Sequence, residues 1–189
     1  EFQKNSELFF DLRVLKLDEW GGIPSNDSAT CESYLQKHLV QPLHISEKRY
    51  FGFDSNPEDP QEECKRIQQK LLDEGPIDVC ILGIGSNGHL ALNEPDPVLQ
   101  NGCHVAELSE KSLQHAMISD KLTKPSYGLT LGMADIFQSK KILLLIDGAQ
   151  KKEIVQQFLS KKIKTDLPAS LLWLHPNVFC LINKETIKL

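Results

Sequence analysis

Ile77-Asp78-Val79-Cys80-Ile81-Leu82, followed at once by Gly83-Ile84-Gly85-Ser86-Asn87-Gly88-His89, is the stretch on which the fold turns. The first six residues form a near-continuous apolar run, the pattern of a strand in a buried parallel sheet. Glycines directly after it let the backbone turn sharply and approach a ligand closely. The GxGxxG spacing is by itself a weak nucleotide signal. A dinucleotide site should open a helix there and meet an acidic residue about 20 positions on. Here Asn93-Glu94-Pro95 follows instead, and Pro95 breaks the run.

Upstream, Asp59 is a candidate N-cap, Pro60 stands at the first helical position and Glu62 completes a capping-box-like pattern. Cys64, Ile67 and Leu71 repeat at helical spacing, and Gly75-Pro76 stops the helix. Further upstream, 13–17 reads as a short strand ending in the acidic pair Asp18-Glu19, 29–40 as a helix, and 49–53 as an aromatic strand. Downstream, the pattern predicts a helix over 111–122, a strand over 128–131, a short helix over 133–138 and a buried strand over 141–146. A turn at Gly148 leads into a helix over about 150–161, then come a short helix at 169–174 and a strand at 178–182.

Alternating strands and helices with apolar strands imply an α/β fold: an open, doubly wound, mostly parallel sheet of Rossmann-like type, with 1–189 as one domain. Ligands in such sheets sit beyond the carboxyl ends of the strands. Three polar segments fall there: Asp18-Glu19, the 83–89 loop, and Gly148 to Lys151.

The bulk numbers exclude several classes. A net charge of −5 over 189 residues gives no electrostatic reason to bind nucleic acid or an anionic membrane. The 5 cysteines (31, 64, 80, 103 and 180) are odd in number and lack a CxxC spacing, which speaks against a disulfide framework or zinc site and for reduced thiols in the cytoplasm. No apolar run approaches the roughly 20 residues of a membrane span, and no signal peptide opens the chain. The opening Glu1-Phe2-Gln3-Lys4 has the look of an internal position.

His89 reads either as a structural histidine or, with Glu94 five residues on and Asn87 two before, as an acid/base group held by a carboxylate. Asp18-Glu19 is either a solvated loop pair or a general base at the sheet rim. Lys151, at a helix start, is electrostatically disfavoured unless an anion binds there. Lys152 beside it is read as a solvated charge, and His175-Pro176 as a turn with a structural histidine. Trp20 and Trp173 are read as packing residues, with pocket lining the alternative for Trp20.

The segment 83–95 resembles the signature of glucosamine-6-phosphate deaminases, which share a fold with 6-phosphogluconolactonases. Leu17-Asp18-Glu19-Trp20, Leu129-Thr130-Leu131-Gly132-Met133, Gly148-Ala149-Gln150-Lys151 and Leu172-Trp173-Leu174-His175-Pro176 are similar to further segments of that family, in the same order. The Asn-Glu-Pro after the loop favours the deaminase/isomerase branch. The resemblance implies that a hexosamine 6-phosphate of glucosamine or galactosamine type becomes a ketohexose 6-phosphate and ammonia. It gives Asp18 as the base moving the C2 proton to C1, His89 as the ring-opening group, Glu94 as its partner and Lys151 as the phosphate ligand. Glu19, Gly83, Gly85 and Gly88 are implied as substrate-binding, with no metal or organic cofactor. Lactone hydrolysis and non-catalytic phosphosugar binding are the alternative readings, and homo-oligomerisation is an open option.

Three departures matter. Asn87 stands where the family has aspartate; it orients an imidazole by hydrogen bonding but carries no charge. An Asn-Gly-His loop also resembles that of galactosamine-6-phosphate-type members. No arginine lies between 108 and 122, which leaves His115 or Lys111 to contact phosphate, and the basic pair that reads an allosteric aminosugar in some members is missing near 103–106. Nothing matches the family's first strand and glycine-rich phosphate loop upstream of the Asp-Glu pair. A protein limited to these residues is expected to show weak or no activity.

Overall fold

The computed structural model describes residues 5–115, 117–118 and 123–187. Its central element is a parallel three-stranded sheet in the order β4 (Val79–Leu82), β7 (Lys141–Ile146), β8 (Val178–Ile182). A second, antiparallel sheet runs β2 (Asp18–Gly21), β6 (Tyr127–Thr130), β5 (His104–Ala106). The short strands β1 (Val14–Leu15) and β3 (Tyr50–Phe51) pair in parallel.

The best-signalled helix forms as its sequence dictates. In α2 (Pro60–Glu74) the Asp59 carboxylate accepts from the backbone N–H of Gln61 and Glu62, and Cys64, Ile67 and Leu71 face the core. In α5 (Lys152–Leu159), Ile154, Val155 and Phe158 do the same. α4 (Met133–Phe137) adds Met133 and Ile136, and these residues close over Cys80, Leu82, Ile142, Leu144 and Ile146 from the parallel sheet. This cluster is the main core.

Three expectations change. The acidic pair does not end the first strand but opens a second, β2, whose partner β6 is antiparallel. The helix expected over 29–40 is α1 (Cys31–Leu35) running into a π-helical turn at Gln36–Val40. Of the helix expected over 111–122, α3 (Glu110–Leu113) is present, and residues 116 and 119–122 lie outside the described residues. Strand β5 and the last helix, α6 (Lys184–Ile187), had no sequence signal.

The apolar run 77–82 also misleads in one respect. Only one face of β4 is buried: Cys80 and Leu82 point into the core, while Val79 and Ile81 are 47% and 58% exposed. The register carries the exposed face across the sheet, through Leu145 to Phe179 and Leu181. Helices of the described residues therefore cover one face of the parallel sheet, where such sheets ordinarily have both faces covered.

Candidate active site

Strand β6 joins the two sheets' contributions. Thr130 lies opposite Asp18 in the β2 pairing, and its hydroxyl accepts from the Leu92 backbone N–H at 3.3 Å. Asn93, 2% exposed, donates to the carbonyls of Leu90 and Leu131. Segment 90–94 is thus pinned to the strand end that faces Asp18.

The glycine loop is shaped around His89. Its backbone carbonyl accepts from Gly85 N–H at 3.0 Å, and a Cβ at Gly85 would overlap the imidazole ring. Gly88 has φ +92°, and a Cβ there would overlap Leu167. Gly83 faces open space, with the Leu145 carbonyl 3.9 Å from where a Cβ would stand. Gly85→Ala is therefore expected to swing the ring out of place and cost turnover about 100-fold while the melting temperature moves little, the size of a lost acid/base group. Steady-state kinetics and a thermal melt check this, and wild-type turnover in the variant would refute the packing argument.

Asn87 lies between His89 and Glu94. Its Nδ2 donates to Glu94 Oε2 at 2.7 Å, and its Oδ1 stands 2.7 Å from His89 Nδ1. A carboxylate only accepts, so the amide nitrogen must face Glu94 and the amide oxygen must face the ring. His89 then carries its proton on Nδ1, which leaves Nε2 as the free nitrogen. Direct approach of His89 Nδ1 to Glu94 Oε2 is longer, at 3.6 Å. The other Glu94 oxygen accepts from the hydroxyls of Ser109, at 3.2 Å, and Ser112. Burial alone would raise the Glu94 pKa; the His89, Ser112 and Asn87 contacts outweigh it and hold the carboxyl down at about 2.

Asp18 is driven the other way. Burial, then the Glu19 carboxylate, push it up to about 6, against the opposing pull of His89 and Lys16. Two carboxyls near one imidazole thus have environments that separate their protonation states, the usual mark of acid/base assignments.

Glu19 occupies a place unlike that expected of a substrate ligand. It is fully buried and accepts from Lys16 Nζ (2.7 Å) and from the backbone N–H of Trp20, Cys31 and Glu32 (each 2.8 Å). Its lone pairs are taken, and it fastens the start of α1 to β2. Trp20 is buried in a second cluster with Ile23, Leu92 and Ala106. His175 is structural, with Nε2 2.9 Å from the Ser139 carbonyl.

Lys151 ends a 3-10 turn, Ala149–Lys151, that begins at Gly148 with φ +108° and leads into α5. Burial lowers its pKa, which Asp147 partly offsets, and among the described residues it has no salt bridge. His115 stands near it, its ring 5.9 Å from that of Trp20. Burial and the neighbouring His89 and Lys151 lower the His115 pKa, and its Nδ1 accepts from Met117 N–H. Its other ring nitrogen then carries the proton as a neutral donor. Lys111 is exposed on α3. Among the described residues no cluster of three or more metal-ligating side chains occurs, and no helix is long and apolar enough to cross a membrane.

Sequence reasoning missed Ser109 and Ser112. Ser109 does carry a signal, as the N-cap of α3, but nothing in the sequence ties that cap to Glu94.

An α/β sheet that gathers a half-buried carboxyl, a relayed imidazole and, among the described residues, an unpaired lysine at its rim defines an acid/base enzyme. Residues 12–180 match the family described as glucosamine-6-phosphate isomerases/6-phosphogluconolactonase, and the chain belongs to that family. AgaI of Escherichia coli (strain K12), named as a deaminase, is 42% identical over 91% of this chain and 68% of its own length. The glucosamine-6-phosphate deaminase of Bacillus pumilus (strain SAFR-032) is 34% identical over 97% of this chain and 77% of its own. A solved monomeric glucosamine-6-phosphate deaminase superposes with TM-score 0.90 at 33% identity, covering 99% of this chain and 80% of that one. The 6-phosphogluconolactonase of Leishmania guyanensis, at 18% identity and TM-score 0.76, shares the fold.

Proposed function

We propose that the protein is a hexosamine-6-phosphate deaminase, acting as one catalytic domain in the cytoplasm. The observation that carries this is the split between the two carboxyls around His89, Asp18 raised to about 6 and Glu94 held at about 2. A carboxylate that ionises near neutrality is a good base for a weakly acidic C–H, and a fixed imidazole with a free Nε2 suits ring opening.

In this reading His89, oriented by Asn87 and anchored through it to Glu94, moves the proton that opens the pyranose. Asp18 takes the C2 proton of the open-chain aminosugar and returns it to C1. The resulting C2 imine adds water and releases ammonia, leaving a ketohexose 6-phosphate. Lys151, with His115 beside it, holds the phosphate; desolvated and unpaired, the lysine has the most to gain from an anion. Gly83, which faces open space, lets the sugar approach the loop, while Gly85 makes room for the His89 ring. Relatives named as glucosamine-6-phosphate deaminases support the substrate class.

Ammonia release from glucosamine 6-phosphate and galactosamine 6-phosphate tests the proposal, with 6-phosphogluconolactone as the comparison substrate. Lactone hydrolysis without ammonia release would overturn it. Lys151→Ala is expected to raise KM about 10- to 100-fold with a much smaller change in kcat, the worth of one charge-assisted contact present throughout the reaction. An unchanged KM would remove Lys151 from the phosphate site.

A further inference from the structure

We propose that Lys16 is a positioning residue for Asp18, a buried counter-charge beneath β2 that offsets the repulsion from Glu19 and so keeps the Asp18 carboxylate available as a base. This rests on the reading of Asp18 as the proton-transfer base.

Lys16 is 2% exposed, which is rare for a lysine and costly unless its charge is matched. Its Nζ lies 2.7 Å from Glu19 Oε2 and 2.8 Å from Glu32 Oε2. Glu32 is braced in turn by the Tyr50 hydroxyl and by Gln36 Nε2 at 2.8 Å. Backbone Lys16 N–H donates to Phe51 O at 3.0 Å, so the lysine is tied to β3 by main chain and to α1 by side chain. The cluster holds two carboxylates and one ammonium. Asp18 is the next residue along β2 from Glu19 and feels both members of the Lys16–Glu19 pair, with opposite signs.

The other groups acting on Asp18 come from three elements. His89 approaches from the glycine loop and favours the ionised form. The Cys31 thiol of α1 and the Cys80 thiol of β4 also sense Asp18, and burial raises both. His104, two strands away in the same row, has Nδ1 3.0 Å from the Gly102 carbonyl. Lys16 is thus the only fixed cation among these groups, and Glu19 a fixed anion next to Asp18 in the chain.

The two partners should therefore move the base in opposite directions. Lys16→Met removes the counter-charge, so the acid limb of kcat/KM is expected to move to higher pH by at least about half a unit. Glu19→Gln removes the repelling charge and leaves Lys16 paired with Glu32, so the limb is expected to move to lower pH by a similar amount. A purely structural brace would lower activity in both variants without displacing the limbs oppositely. If Lys16→Met does not fold, Lys16→Gln, which keeps a donor towards Glu19 and Glu32 without the charge, carries the test, because a limb at or below the wild-type position refutes the proposal. Asp18→Asn separates the two levels of the argument. Wild-type ammonia release in that variant would sink the base assignment itself, whereas loss of release together with unmoved limbs in the other two sinks only the role of Lys16.

Discussion

Asp18→Asn is expected to lower ammonia release by about 100- to 10,000-fold, the range of a lost general base, and to raise the melting temperature. The two effects share one cause. The folded protein holds the Asp18 carboxyl near 6, above its ordinary value of 3.8, because ionising it beside Glu19 and away from water is costly. A group whose folded pKa exceeds its unfolded one binds its proton more tightly in the fold, so stability falls as pH rises between the two values. The penalty is absent below about pH 4, grows to about pH 6 and is constant above that. A shift of two units corresponds to about 3 kcal/mol at most, and residual contact with solvent reduces it. Asparagine keeps the shape without the charge. The variant should thus match wild type at pH 4 and melt about 3–8 °C higher at pH 7. Melts across that range, alongside an ammonia assay, check both halves. A variant less stable than wild type at neutral pH would show that the fold favours the ionised carboxylate.

Asn87→Asp is expected to cost stability above about pH 4. The amide nitrogen of Asn87 donates to Glu94 at 2.7 Å, and an aspartate oxygen in its place puts two carboxylates in hydrogen-bond contact. Two such groups cannot both ionise freely, so one carboxyl is driven up. The proton it retains can reproduce the amide's donation to Glu94, while the other oxygen still accepts from His89. The sign follows from a raised folded pKa: near pH 4 the variant should melt close to wild type, and it should lose stability as pH rises to about 6, with the loss constant above that. A rise of two units is about 2.7 kcal/mol, so a drop of about 5–10 °C by pH 8 is expected. Activity should fall over the same range, because the charge placed beside His89 favours the imidazolium and fills the free Nε2. A melting curve parallel to wild type from pH 4 to 7 would show that the loop re-forms around the new charge.

Asp18 and Glu94 are both carboxylates, yet their folded environments have opposite consequences. Glu94 stays ionised far into acid because donors surround it, and the stability it contributes is lost only as pH falls from its ordinary 4.5 towards 2. Among the described residues Asp18 has no such donors, and its raised pKa is a standing cost to the fold. The pair illustrates why a site residue must be judged by its neighbours and not by its type.

Much was legible along the chain because it depends on local chemistry. The Asp59-Pro60 start of α2, the strands at 79–82, 141–146 and 178–182, and the glycine turn that seats His89 all follow from caps, apolar runs and backbone freedom within a few residues. The segments that meet at the site, around 18, 83–94 and 151, were likewise visible, since ligands gather beyond strand ends. Tertiary structure alone decided who touches whom. Ser112 reaches Glu94 across 18 residues of sequence and Glu32 meets Lys16 across 16, and β2 pairs antiparallel with β6, none of which any periodicity announces. Strand alternation made Asp18 and Glu19 equal candidates for the pocket. Only the fold separated them, because the donors of α1 and Lys16 lie on one side of β2 and saturate Glu19, which leaves Asp18 to face His89.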